Sequence, residues 1–284
     1  MKTPNEKRSE LLELVAQFGS PLYIYDGHII ERQINRLKSA FGGFDHKIHY
    51  AAKALSNLSV LRLVRLLGCG LDAVSIQEVH LGLKAGFLPD DILFTPNNAP
   101  FSEVEEAVRL GIHVNIDSLS ALRKFGQKFG DTYALFVRLN PHILAGGNPK
   151  IQTGHIDSKF GISIFQLPEV EEIVAEYKIK VEGLHVHTGS EFLDAGVFLQ
   201  GASILYRAAA SFPDIRYIDF GSGFKVAYKD GDVVTPLEEL GKQLQQSVAE
   251  FEQKAGRKVQ IWFEPGKFIV SDCGKLLCTV TTVK

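Results

Sequence analysis

Cysteine is scarce in this chain of 284 residues: Cys69, Cys273 and Cys278 are the only three. Their number is odd and their spacing fits no metal-ligand pattern, so neither a disulfide framework nor a metal site is expected. They read as reduced thiols of a cytoplasmic protein. An excess of one charge is also missing, with 31 basic residues against 33 acidic ones and a formal net charge of -2. Without runs of like charge, binding to nucleic acid or to a membrane surface is excluded as a main role. No uninterrupted apolar stretch is long enough to span a bilayer, so no membrane partner is expected. Met1 to Glu10 is polar and charged, which does not suit a secretory leader. What is plentiful is apolar material, 45% of the chain, enough to bury the core of one barrel-sized domain.

Periodicity supplies the architecture. Strand-like runs occur at Lys47–Ala51, Leu71–Val74, Ile92–Thr95, Val114–Ile116, Ala134–Leu139, Gly183–Val186, Tyr217–Phe220 and Val259–Phe263. Helical patterns lie between them, among them Leu58–Leu67, Ile76–Ala85, Phe101–Arg109, Leu119–Lys128, Pro168–Tyr177 and Leu237–Ala255. Eight strands alternating with helices predict a (β/α)8 barrel of the α/β class over residues 44–268. An open doubly wound sheet also alternates, but the first strand lacks the Gly-rich turn of a dinucleotide site. Two pieces fall outside the barrel. Residues 1–43 hold a helix at Arg8–Phe18, a strand at Leu22–Tyr25 and a helix at Asp26–Phe41, and residues 269–284 hold strand patterns. Phe268-Ile269-Val270 and Lys275–Val283 read as strands without a partner in the chain. Since an isolated strand pair is marginal, both ends are expected to belong to a second, β-rich domain that this chain does not complete.

Active sites of such barrels lie at the carboxyl ends of the strands. Polar groups collect there: Lys53 after the first, Asp72 and Ser75 at the second, Asn97 and Asn98 after the third, and Asp117 and Ser118 after the fourth. Arg138 and Asn140 follow at the fifth, His185-Val186-His187-Thr188-Gly189-Ser190 at the sixth, Gly221-Ser222-Gly223 at the seventh and Glu264-Pro265-Gly266-Lys267 at the eighth. A lysine at a strand end is a Schiff-base nucleophile if its amine is desolvated and its pKa depressed, and a solvated loop residue otherwise. Gly221-Ser222-Gly223 either lets backbone N–H groups approach a phosphate, with Ser190 adding a hydroxyl, or merely turns the chain. Glu264 is either an exposed turn residue or the carboxylate partner of a cationic ring nitrogen, and His187 either a core histidine or the face of a flat ring. Taken together, these four features describe a pyridoxal phosphate site, whose cofactor acts as the electron sink.

Tyr50-Ala51-Ala52-Lys53-Ala54, the His185–Ser190 run, Ile218-Asp219-Phe220-Gly221-Ser222-Gly223 and Glu264-Pro265-Gly266-Lys267 resemble the alanine-racemase-like group of pyridoxal phosphate enzymes. Lys150-Ile151-Gln152-Thr153-Gly154 followed by Ser158-Lys159-Phe160-Gly161-Ile162 is similar to the strand-five insertion of its diaminopimelate decarboxylase branch. The resemblance implies decarboxylation of meso-2,6-diaminopimelate to L-lysine and carbon dioxide by a cytoplasmic homodimer. It implies that Lys53 bonds the cofactor covalently, that His187 stacks on its ring and that Glu264 pairs with the ring nitrogen. Gly221, Ser222, Gly223, Ser190 and the turn Pro265-Gly266-Lys267 hold the phosphate on this resemblance. Asp72 lies near the lysine, Arg138 near the ring's phenolic oxygen, and Lys267 also reaches the substrate.

Two departures from the family pattern bear on these expectations. Lys267 stands where the family usually has arginine, which keeps the charge but loses the planar fork. Family members also continue into a β domain with a cysteine proton donor, which Cys273 and Cys278 do not match. The chain is therefore expected to be the barrel part of a truncated enzyme, with little or no turnover. A decarboxylase of another basic amino acid or of carboxynorspermidine, and a pyridoxal phosphate-binding regulatory barrel without net catalysis, are the alternatives. A Schiff-base aldolase without cofactor would leave the Gly221 turn and Glu264 without a joint purpose.

Overall fold

The computed structural model describes residues 4–143, 158–187, 189 and 195–284. Helix α1 (Pro4–Phe18) and strand β1 (Leu22–Tyr25) come first, followed by α2 (Gly27–Ala40). Asp26 starts α2 by accepting the His28 N–H at 3.0 Å, and Ile30, Ile34 and Leu37 recur at helical spacing on its buried face. The strands β2 (His46–Ala51), β3 (Gly70–Ala73), β4 (Ile92–Phe94), β5 (His113–Ile116) and β6 (Ala134–Asn140) are next. The short β7 (Ile162–Ser163) only extends the end of β6, and β8 (Lys180–Val186), β9 (Tyr217–Asp219) and β10 (Gln260–Phe263) complete the set. All neighbours are parallel. β10 pairs with β2 and β5 with β6, so eight of these strands form a closed barrel.

Helices α3 (Leu58–Leu66), α4 (Ile76–Ala85), α5 (Phe101–Arg109), α6 (Leu119–Phe129), α7 (Leu167–Tyr177), α8 (Ala195–Ala209) and α9 (Leu237–Ala255) cross over between successive barrel strands. After β10 only the short α10 (Lys267–Val270) follows, so the outer ring lacks a long eighth helix at that place. α2 fills it, packing against α3, α9 and α10. The approach is close enough to require glycine: a Cβ on Gly241 of α9 would stand 1.9 Å from the Ala40 carbonyl oxygen of α2.

Residues inside the barrel fall in layers because side chains alternate along a strand. Leu93, Phe136 and Trp262 form a buried cluster of their own, with Tyr217 packed against it, separate from the main core between sheet and helices. Gly183 leaves room for Phe136, whose ring would meet an added Cβ at 2.2 Å. Two residues further along the same strands, on the same inward face, come Arg138, His185, Asp219 and Glu264, all buried. An aromatic floor thus carries a layer of titratable groups at the carboxyl ends.

The strand and helix positions expected from periodicity hold throughout the barrel. At the ends the outcome differs. Phe268-Ile269-Val270 is helical, because Gly266 and Lys267 carbonyls accept the Ile269 and Ser271 N–H groups and the apolar run packs inward. The last strand, β11 (Gly274–Leu277), is four residues long, and it has a partner in the chain: it pairs antiparallel with β1, Leu22 opposite Leu277.

Packing of α2 on α9 makes a specific expectation. Gly241→Ala should destabilise the fold by about 3 kcal/mol in chemical denaturation, since helix backbones must separate to admit the methyl group. Lys242→Ala, exposed on the next position, should stay within about 0.5 kcal/mol of the parent.

Candidate active site

Lys53 lies in a single helical turn, Ala52–Ala54, that directly follows β2. That turn is anchored on both sides: Ala51 donates its N–H to the Pro265 carbonyl at 3.3 Å, and the Tyr50 hydroxyl donates to the Leu55 carbonyl at 3.1 Å. The lysine amine reaches the carboxylate of Asp72 at 3.3 Å, with 54% of the Lys53 side chain exposed and Asp72 only 1%. Asp72 itself sits at the end of β3, where the next turn is closed by a reciprocal cap. Ser75 accepts the Glu78 N–H and the Glu78 carboxylate accepts the Val74 N–H.

Desolvation of Lys53 was the condition for a depressed amine pKa, and the structure does not meet it. The Asp72 charge outweighs burial and raises the amine instead, with Glu264 adding to the effect. The shift has moved to the partner. Burial first, and then repulsion from Glu264, push the Asp72 carboxyl from 3.8 up to about 7. The amine, raised above its ordinary value, remains the more basic of the two groups and holds the proton it shares with Asp72 across 3.3 Å.

His187, at the end of β8, is held at Nδ1 by the Ser222 N–H at 3.3 Å. Burial, with the Lys53 and Arg138 charges behind it, pushes its imidazole down to about 3, so the ring is neutral. Gly221 is required beside it. Its φ is 63°, and a Cβ there would stand 2.6 Å from His187 Nδ1 and 2.9 Å from the Val186 carbonyl. The Gly221 carbonyl accepts the Glu264 N–H at 2.7 Å, which ties the seventh and eighth strand ends together. Glu264 is buried, with Oε2 3.2 Å from His185 Nε2, an ion-pair distance. Burial opposes its ionisation, but contact with His185 and the charge of Lys53 outweigh that and hold the carboxyl well below the usual range.

A cavity of about 290 Å³ opens among these groups, lined by Lys53, His187, Ser222, Gly223, Glu264, Gly266 and Lys267 with Ala51, Ala54, Phe224 and Phe268. Seven of the residues singled out in the sequence thus face one space. Asp72 reaches it only through Lys53, Gly221 lies behind His187, and Pro265 contributes the carbonyl that anchors Ala51. Arg138 does not line the cavity; its guanidinium lies 4.8 Å above the Phe160 ring. Ser190 and Lys150–Gly154 lie outside the described residues. Sequence reasoning missed His185 and Asp219, although each stands two positions before a residue it had picked, on the same inward face. A larger cleft, about 670 Å³, lies on the outer surface between α8 and α9, away from every strand end.

The residues present fit a phosphorylated pyridine cofactor. Glu264 Oε1 is buried without a hydrogen-bond partner, an acceptor awaiting a cationic N–H. Gly266 lines the cavity and packs tightly behind it, a Cβ there standing 2.9 Å from Ala54. An amine, a neutral imidazole and a lysine charge complete the set around the cavity.

The family described as pyridoxal-dependent decarboxylase, pyridoxal binding domain, matches residues 28–271. The chain belongs to this family. The curated diaminopimelate decarboxylase of Methanothermobacter thermautotrophicus is 33% identical, over 97% of this chain and 66% of its own length. That of Escherichia coli strain K12 is also 33% identical, over 96% of this chain and 65% of its own. Among solved structures, diaminopimelate decarboxylase from Helicobacter pylori complexed with L-lysine superposes with a TM-score of 0.84 at 31% identity. It covers 94% of this chain and 68% of that one. The chain therefore spans about two thirds of the length of these relatives. The closed barrel expected of a pyridoxal-binding domain is the fold observed.

Asp72 sets a pH dependence of the cofactor-free chain. Unfolded, its carboxyl ionises near the ordinary 3.8; folded, near about 7. The folded state holds the proton more tightly, so this contribution to stability is complete below the unfolded value and is lost as pH rises through about 7. Thermal denaturation should show the melting temperature falling between about pH 4 and pH 7, and Asp72→Asn should flatten part of that fall. An identical slope in the variant would mean Asp72 is ionised throughout.

Proposed function

We propose that this chain holds pyridoxal 5'-phosphate through Lys53 and serves the decarboxylation of meso-2,6-diaminopimelate to L-lysine and carbon dioxide. One observation carries the reading: the Lys53 amine, the buried Glu264 carboxylate and the glycine turns Gly221–Gly223 and Gly266 converge on a single cavity. When bound, the cofactor supplies an electron sink for the pair left behind as a carboxylate departs.

The chain's own residues have separate tasks in this reading. Lys53 is the attachment point, and Asp72, whose Oδ2 lies 3.3 Å from the amine, holds it in place before the bond to the cofactor would form. Neutral His187 covers one face of the ring without repelling it, held in orientation by the Ser222 N–H. Ionised Glu264 keeps the ring nitrogen protonated, which strengthens the sink and favours loss of carbon dioxide over racemisation. Ser222, Gly223, Gly266 and Lys267 line the space for the phosphate, Lys267 as a point charge, and Gly221 and Pro265 hold that lining from behind. Arg138, outside the cavity lining, acts on Lys53 and His187 through its charge. Lys267 also reaches the second cleft, of about 440 Å³, which adjoins the site beside Tyr23, Tyr25 and Lys275 and suits the far end of a diamino diacid. A cytoplasmic homodimer belongs to the same reading. So does a division into residues 1–43, a barrel at 44–268 and a β segment at 269–284. The paired β1 and β11 support assigning the two ends to one β unit.

Titration with pyridoxal phosphate should raise a visible absorption band of lysine-bound cofactor that is absent in Lys53→Ala. meso-Diaminopimelate should perturb that band at lower concentration than ornithine or lysine. A band persisting in the variant would remove Lys53 from its role, and preference for ornithine would move the chain to the other basic amino acid decarboxylases.

A further inference from the structure

Asp219 is fully buried at the end of β9, and its two oxygens differ. Oδ1 accepts the Gly221 N–H at 2.7 Å, while Oδ2 has no hydrogen-bond partner. Glu264 shows the same deficiency at Oε1. A carboxyl oxygen of Asp219, one of Glu264 and a ring nitrogen of His185 all lie within 4.8 Å of one another. Two ionised carboxylates so close in a water-free interior repel strongly, and one of them retains a proton. Lys53, Arg138, Asp72 and His187 are the other charged or titratable groups that face the trio. Of the two carboxyls, Glu264 is the one in contact with His185, and it lines the cavity with Lys53. Asp219 has a backbone N–H instead.

We propose that Asp219 keeps the shared proton on Oδ2 and donates it to Glu264, acting as a positioning residue for the carboxylate that meets the cofactor ring. The proposal rests on the function proposed above. A neutral aspartic acid offers one acceptor and one donor, so a single proton gives Oδ2 its partner while Oδ1 keeps its bond to Gly221, and Glu264 Oε1, with two lone pairs, keeps an acceptor site for the ring N–H. Burial and the neighbouring Glu264 charge push the Asp219 carboxyl well above its ordinary range, in the same sense. Glu264 in turn donates its N–H to the Gly221 carbonyl at 2.7 Å. Ring-nitrogen carboxylate and phosphate turn are thereby fixed relative to one another through Asp219. No bond is formed or broken in this role; one proton is held between two oxygens.

Asparagine reproduces that pattern, with Oδ1 accepting from Gly221 and Nδ2 donating to Glu264, whereas leucine has neither group. Asp219→Asn should therefore bind pyridoxal phosphate within about threefold of the parent, and Asp219→Leu at least about tenfold more weakly. Cofactor labelled with ¹⁵N at the ring should show a protonated nitrogen in the parent and in Asp219→Asn, with a shift toward the neutral form in Asp219→Leu. Infrared difference spectra of the full chain without cofactor, parent minus Asp219→Asn at neutral pH, should contain the stretch of one protonated carboxyl group. Absence of that stretch, or Asp219→Asn binding as weakly as Asp219→Leu, would overturn the proposal. If Asp219→Leu does not fold, the infrared comparison decides alone. If the parent itself shows no cofactor band, the proposed function is wrong, and the infrared result still judges the shared proton.

Discussion

An ionised carboxylate buried inside a barrel is the constraint on which the rest of this site depends. Isolated in a dry interior, the Glu264 charge would cost several kcal/mol. Here its surroundings offset that cost: His185 at 3.2 Å and the Lys53 charge across the cavity. Each of those groups then acquires its own character from the carboxylate. Asp72 is pushed toward neutrality partly by Glu264 repulsion, Asp219 likewise, and the Lys53 amine is stabilised as a cation. Moving one proton in this set changes the protonation of its neighbours, so the layer is better regarded as one titrating unit than as separate residues.

Geometry of the closed parallel sheet is what brings these groups together. Each strand alternates inward and outward, so a titratable residue two positions beyond an interior aromatic must face the same axis. Phe136 leads to Arg138, Gly183 to His185, Tyr217 to Asp219 and Trp262 to Glu264; the register pairs Arg138 with His185 and His185 with Asp219, and Glu264 follows two residues beyond Trp262, the partner of Asp219. The stacked floor below, with Phe136 and Trp262 ring centroids 4.9 Å apart, closes the barrel's other end against water. Low dielectric beneath the layer explains why its pKa shifts are large.

Much of this was legible in the sequence, and for a physical reason. Parallel strands covered on both faces read as continuous apolar runs, and their amphipathic crossovers read at the helical period, so the eight units announce themselves. Lys53, His187, Gly221–Gly223, Glu264 and Lys267 were found because they stand where strands end. What was not legible needed partners in space. Phe268-Ile269-Val270 looks like a strand locally, but the turn after Glu264 directs it into a helix against α2. Asp219 looked like one residue of a strand run; only the orphaned Oδ2 marks it as part of the site. The state of Lys53 also depends on a contact that spacing does not reveal, since Asp72 lies 19 positions away in the chain and 3.3 Å away in space.

That last contact decides the protonation state of the lysine. A lysine kept neutral by desolvation would be reactive at all times, but it would need an apolar pocket that a phosphorylated, polar cofactor could not share. Lys53 instead stands in a polar mouth with its side chain half exposed, and its charge attracts an anionic ligand to the cavity. The shifts of the two groups depend on one another: the Asp72 charge raises the amine, and the Lys53 charge limits how far burial raises the carboxyl. In the proposed function the amine would have to lose its proton to bond a cofactor, and the buried aspartate beside it sets how tightly that proton is held.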